Sequence, residues 1–131
     1  MDFSTFATDA IAEQDGKWFE FGTDARIKLR SFSSKISRDV RKTLEKPYIG
    51  LTRSGTSLPD DILEDLLVKQ MAKALIVDWS GFTDEGKEIP YSSDVAETLL
   101  SKYPKLRDRI AKIIADDESF AAEAKVQSEG N

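Results

Sequence analysis

The feature that most constrains this chain is a row of apolar residues at helical spacing: Ile62, Leu63, Leu66, Leu67, Met71, Ala74 and Leu75. Residues three and four apart fall on one side of a helix, so this stretch must lay that side on a core. Its start has the right chemistry. Ser57 offers an N-cap, Pro59 fits the first turn, and Asp60 and Asp61 suit the positive end of the helix dipole. The pattern predicts a helix from about residue 59 to 77, against which the other elements must pack.

Upstream the period changes to two. Trp18 and Glu20 alternate with Phe19 and Phe21, the turn residues Gly22-Thr23-Asp24 follow, and Ile27 and Leu29 then alternate with Arg26, Lys28 and Arg30. This predicts a β-hairpin with a cationic second strand, which must lie on something or pair with another chain. Ser33 or Ser34 caps a predicted helix carrying Ile36, Val40 and Leu44, which Pro47 stops. Residues 49–56 read as a loop. Two glycines and a proline make residues 78–91 an ordered loop, fastened to the core by Trp79, Phe82, Ile89 and Tyr91. Ser92 or Ser93 caps the next helix. Pro104 opens the last one, with Leu106, Ile110, Ile113 and Ile114 facing inward and Phe120 extending the stripe. The reading is α+β, mainly α: an N-terminal β-hairpin followed by about four helices in one compact domain. Residues 1–131 form that domain, with 1–16 loosely ordered or a short docking turn and 125–131 frayed.

The composition narrows the chemistry. The chain has neither cysteine nor histidine, which removes thiolate chemistry, disulfides, the commonest general base and the commonest transition-metal ligand. The acidic clusters Asp60-Asp61, Asp84-Glu85 and Asp116-Asp117-Glu118 read as capping or solvated groups, and Asp78 with Asp84 matches no calcium loop. The glycines form no phosphate-binding loop, and no serine sits in a nucleophile-elbow pattern. No catalytic residue, metal site or cofactor is expected, and the chain is not expected to be an enzyme. The start Met1-Asp2-Phe3-Ser4 lacks a signal-peptide pattern, and the run Ala74-Leu75-Ile76-Val77 is too short to span a bilayer. A soluble cytosolic protein is the expectation.

Charge is unevenly placed. The balance is −5 over residues 1–25, +7 over 26–53 and −7 over 54–131. A basic hairpin-and-helix segment between acidic flanks is the natural contact surface, with Arg26, Lys28, Arg30, Lys35, Arg38 and Lys42 as candidate protein-interaction residues. Such a face receives an acidic partner or an acidic surface of another copy. A small nucleic-acid-binding or regulatory protein using residues 26–53 is the alternative, weakened by the acidic flanks and by few aromatics beside the cations. The loop residues Trp79, Gly81, Phe82, Gly86, Pro90 and Tyr91 read as structural.

The run Lys73-Ala74-Leu75-Ile76-Val77-Asp78-Trp79-Ser80-Gly81-Phe82, then Gly86, Ile89-Pro90-Tyr91-Ser92, Leu99-Leu100, Pro104 and a last helix toward Phe120, resembles the tail assembly chaperones of long-tailed (lambda-like) bacteriophages. The likeness covers roughly residues 58–120. It implies a phage morphogenetic factor that works in the host cytoplasm and is absent from the mature virion. Such a factor binds the tape measure protein, keeps it soluble and helps recruit the tail tube protein. The family commonly pairs a short form with a longer one made by ribosomal frameshifting, and this chain has the length of the short form. Self-association fits the coating of a long client. The resemblance assigns no individual contact residue.

Overall fold

The computed structural model describes residues 1–122. The fold is mixed α and β, mainly helical, with the hairpin near its N-terminus. In chain order it has α1 (Ala10–Asp15), β1 (Lys17–Phe21), β2 (Ala25–Leu29), α2 (Lys35–Glu45), α3 (Ile49–Arg53) and α4 (Asp60–Gln70). A π-helical turn (Met71–Leu75) continues α4 into β3 (Ile76–Ser80). The small strands β4 (Thr83–Asp84) and β5 (Lys87–Glu88), α5 (Ser93–Lys102) and α6 (Pro104–Ala115) follow.

The hairpin does not stand alone. β1, β2 and β3 form an antiparallel sheet in that order, with Phe19 opposite Ile27 and Ile27 opposite Trp79. Side chains alternate across a sheet, so Phe19, Phe21, Ile27, Leu29, Ile76 and Trp79 share the inner face. They join Met71, Ala72, Leu75, Leu100 and Ile110 in one core. The register shifts where Lys28 faces Asp78 but Leu29 faces Ile76, leaving Val77 as a bulge. The bulge lets both Ile76 and Trp79 face inward although three positions separate them.

The predicted helix over 59–77 is therefore shorter and ends differently. Its first residue is Asp60, with Pro59 at the cap position and no side-chain cap from Ser57. A residue before proline is held out of the helical region, so Ser57 and Leu58 cannot fold back onto the first turn. At the other end the helix widens into the π turn and becomes a strand at Ile76 without an intervening glycine or proline. That transition leaves carbonyls without helical partners, and four are taken by other elements. The Ser93 hydroxyl donates to the Ala72 carbonyl at 2.9 Å, and the Arg30 guanidinium to that of Ala74 at 2.9 Å. The Arg30 backbone N–H reaches Leu75 at 2.8 Å, and the Tyr91 hydroxyl reaches Ile76 at 3.1 Å.

The remaining helices form for local reasons. Ser34 caps α2 through the Ser37 N–H, Ser92 caps α5 through Val95, and Pro104 opens α6. α2 is joined to α4 by a buried chain in which Gln70 donates to the Ser37 hydroxyl at 2.9 Å and Arg41 donates to Gln70 at 3.2 Å. Residues 49–56, expected as loop, begin instead with the single-turn α3, which follows a 3₁₀ turn at Lys46–Tyr48. Phe120 does not extend the last helix. α6 stops at Ala115, and Phe120 returns to the core to meet Phe19 edge to face at 5.7 Å. Residues 1–16 form a 3₁₀ turn and α1, and the Asp9 N–H donates to the Phe120 carbonyl at 2.8 Å. The expectation for residues 125–131 lies outside the described residues.

Substitutions at two positions test this arrangement. Arg30→Ala strands the Ala74 carbonyl and should cost roughly 2–4 kcal/mol in chemical denaturation. Arg30→Lys should recover little, because one ammonium cannot reproduce the forked contact to Ala74 and to the Gln14 carbonyl. Gly81 has φ of 81°, and a Cβ there would meet the Asp24 carbonyl oxygen at 2.0 Å. Gly81→Ala should therefore lose about 2 kcal/mol or more by the same measurement.

Candidate interaction surfaces

The cationic candidates divide among three settings. Arg26 and Lys28 point outward from β2, where acidic side chains neighbour them: Glu20 is the cross-strand partner of Arg26 and Asp78 that of Lys28. The Arg26 guanidinium also stacks on Trp18, 4.3 Å from the ring centroid. The outer sheet face is thus mixed in charge, not a cationic track. Arg30 is half-buried and tied into the scaffold. Its guanidinium bridges Gln14 and Ala74, so it fastens α1 to the end of α4. Those two bonds give it a role within the fold that sequence alternation cannot reveal.

Lys35, Arg38 and Lys42 lie on the solvent side of α2, opposite the buried Ser37. Lys35 pairs with Asp39 at 2.7 Å, and that hydrogen bond is the main reason the Asp39 carboxyl titrates below its ordinary range. Arg38 donates to the Ser33 carbonyl at 3.1 Å. Exposed pairs of this kind add little stability, so the face remains available to a partner. Ile36, 41% exposed, adds an apolar position to it.

The Trp79 segment is an interlocked aromatic unit. Trp79 is buried, donates its indole N–H to the Ile89 carbonyl at 2.8 Å, and meets Phe82 and Tyr91 edge to face at 6.0 and 5.1 Å. Burial raises the Tyr91 phenol above its ordinary range. Glu85 and Gly86, both at positive φ, make the tight turn between β4 and β5, and Pro90 is exposed just before α5. Expected as a loop, residues 78–91 instead begin with the end of the edge strand β3 and continue into this small hairpin.

Beneath the hairpin lies an apolar cavity of about 210 Å³, walled by Ile27, Ile76, Trp79, Phe82, Leu100 and Ile110. Tyr103 donates its hydroxyl to Asp84 at the mouth, and Lys102 bridges Asp84 and Glu85 at 3.3 and 3.5 Å. The Tyr103 hydrogen bond is the main cause of the lowered Asp84 titration, and Lys102 titrates above its ordinary range beside the Tyr103 hydroxyl and the Asp84 carboxylate. Sequence reasoning missed this cavity, since every residue in its wall looks like ordinary core. It also gave no role to Phe3, Phe6 and Ile11, which are 89%, 66% and 74% exposed. Among the described residues no group of three or more acidic side chains is placed to hold a metal ion, and no helix is long and apolar enough to cross a membrane.

This small α+β scaffold carries charged outer faces and a half-open apolar cavity, and it is the family match that marks it as phage-derived. A family model described as YdaY prophage protein matches residues 26–131, and the chain belongs to that family. No curated protein and no solved structure matches the chain.

The clasp at the cavity mouth gives a pH prediction. Asp84 has its folded pKa below the ordinary 3.8, so its contribution is present above 3.8 and is lost as pH falls through the lower folded value. Asp84→Asn should lower the urea midpoint at neutral pH. The gap between variant and parent should close well below pH 3.8, as read from denaturation curves at both acidities.

Proposed function

We propose that the chain is a phage tail assembly chaperone, a non-enzymatic factor that binds the tape measure protein, keeps it soluble and helps recruit tail tube subunits. The observation that carries the reading is the phage family, whose matched residues 26–131 contain the whole stretch that resembles such chaperones. Within that stretch Trp79, Phe82 and Tyr91 interlock and Gly81 packs against the Asp24 backbone, so the ordered set of residues corresponds to one structural unit.

The surfaces suit the role. A long amphipathic helical client needs apolar anchoring points and complementary charge, and recognition of that type requires no reacting group. α2 offers Lys35, Arg38 and Lys42 beside Ile36, while residues 54–131 supply an acidic excess that another copy's α2 can meet. In this reading the protein acts in the host cytoplasm, is left out of the mature virion, associates with itself along its client, and works beside a longer frameshifted form.

Co-expression with the tape measure protein of the same phage tests the proposal. The client should move from the insoluble to the soluble fraction, and equal insolubility with and without this chain would end the reading. Charge reversal at Lys35, Arg38 and Lys42 should weaken client solubilisation or self-association by light scattering while leaving the fold intact. Arg30 must be left in place, because its loss would destabilise the scaffold and confound the effect. Salt-sensitive retention on nucleic acid, abolished by the same reversal, would favour the alternative that residues 26–53 bind nucleic acid.

A further inference from the structure

The core is incomplete under the β4–β5 hairpin. At about 210 Å³ the cavity exceeds the roughly 150 Å³ that holds a benzene molecule in an apolar protein interior. Its wall is almost entirely hydrocarbon, and the polar groups Asp84 and Tyr103 stand at the mouth, bonded to each other. Water has little to hold inside, so an apolar occupant is favoured. The mouth opens to the surface beside charged groups. The hairpin carries Asp84, Glu85 and Glu88 against Lys87, and Lys102 stands opposite, so the rim is acidic on balance. A free hydrocarbon would use the wall alone. A side chain projecting from a polypeptide uses the wall and also sets its neighbouring charges over the rim.

We infer that this cavity receives one compact apolar side chain, aromatic or branched aliphatic, from a partner polypeptide whose residues flanking that anchor are basic. The inference rests on the chaperone reading for the partner's identity as a helical client, and on the cavity and its rim for the chemistry. An anchor buried in a desolvated pocket is where binding energy concentrates at an interface, and rim charges select the partner. The Tyr103–Asp84–Lys102 clasp holds the hairpin over the mouth, so admission of the anchor shifts the hairpin or the clasp but leaves the sheet in place.

The test uses the full chain and benzene as the first probe. Benzene should raise the thermal midpoint by roughly 2–5 °C near saturation. It should also shift the NMR resonance of the Trp79 indole N–H, with Trp18 on the opposite sheet face as the internal control. Ala96→Leu, which fills the cavity from the buried side of α5, should abolish both effects, and Leu99→Phe serves if that variant does not fold. No shift in the parent, or equal shifts in parent and filled variant, would overturn the inference.

The second arm separates the sources. Model helical peptides with one tryptophan or leucine anchor should compete with benzene. They should bind about tenfold more tightly when lysines flank the anchor than when glutamates do. Benzene binding without peptide binding would replace the partner side chain by a free small molecule, and equal binding of both peptides would remove the rim from the argument. The third arm is client solubilisation by the filled variant. If the parent solubilises the tape measure protein and the filled variant does so equally, the cavity inference fails and the chaperone reading stands. If the parent itself fails, the chaperone reading falls while the benzene and peptide arms still decide the cavity.

Discussion

The structure depends on how four carbonyls are satisfied where a helix becomes a strand. Between Ala72 and Ile76 the chain leaves α4 through a π turn and enters β3, and each backbone oxygen freed there is costly if buried without a partner. The donors come from both sides in sequence: Arg30 from the end of β2, Tyr91 from the stretch before α5, and Ser93 from the first turn of α5. Each bond therefore does two things. It completes the helix-to-strand switch and fixes a neighbouring element in place. Arg30 alone joins α1, β2 and the π turn, because the same guanidinium that reaches Ala74 also reaches Gln14. With the switch completed, β3 can pair with β2 and give the N-terminal hairpin the third strand it requires.

That switch also marks the limit of what was legible. The hairpin, α2, α5 and α6 could be read because each has its own period and its own stop or cap: Ser34, Pro47, Ser92 and Pro104. The end of α4 has none. Ala74, Leu75, Ile76 and Val77 form one apolar run, and a run of that kind serves a helix or a buried strand equally well. The bulge at Val77 disturbs the alternation that would otherwise have exposed the strand. The aromatic loop residues were legible as structural plugs, but their partners were not, since Trp79 to Ile89 and Tyr91 to Ile76 depend on the sheet. The candidate contact residues were legible only as charges. Whether an arginine faces solvent or closes a helix end is decided by tertiary neighbours, and Arg30 went the second way.

The consequence for function is a redistribution of charge. A linear count places +7 over residues 26–53, yet the folded chain sets six of those cations in three places: Arg26 and Lys28 on the outer sheet face, Arg30 in a fastening to Gln14 and Ala74, and Lys35, Arg38 and Lys42 on the outer side of α2. Glu20 and Asp78 temper the sheet face, and Asp39 tempers part of α2. Polyanion binding gains from many uncompensated cations in a row, because each released counterion adds to the affinity. Short, mixed clusters gain less from that effect and more from a partner of matching pattern. The proposed chaperone role takes the second direction.

The cavity fits the same logic of costs. An unfilled apolar space destabilises a fold, because its lining loses contacts on one side, and the remedy here is a single larger side chain at Ala96. The hairpin above it is meanwhile held by more than packing: the Trp79 indole bond to Ile89, the Ile89 N–H to Phe82 at 3.0 Å, and the clasp of Asp84 with Tyr103 and Lys102. Bonds at both ends keep the roof from settling onto the floor, so the space persists. A roof that spans a void while polar bonds at its rim hold it in place is a costly way to finish a core and an economical way to keep a socket open. The stability lost to the empty space is recovered only when an apolar group enters, which makes entry more favourable than burial of the same group on a flat surface.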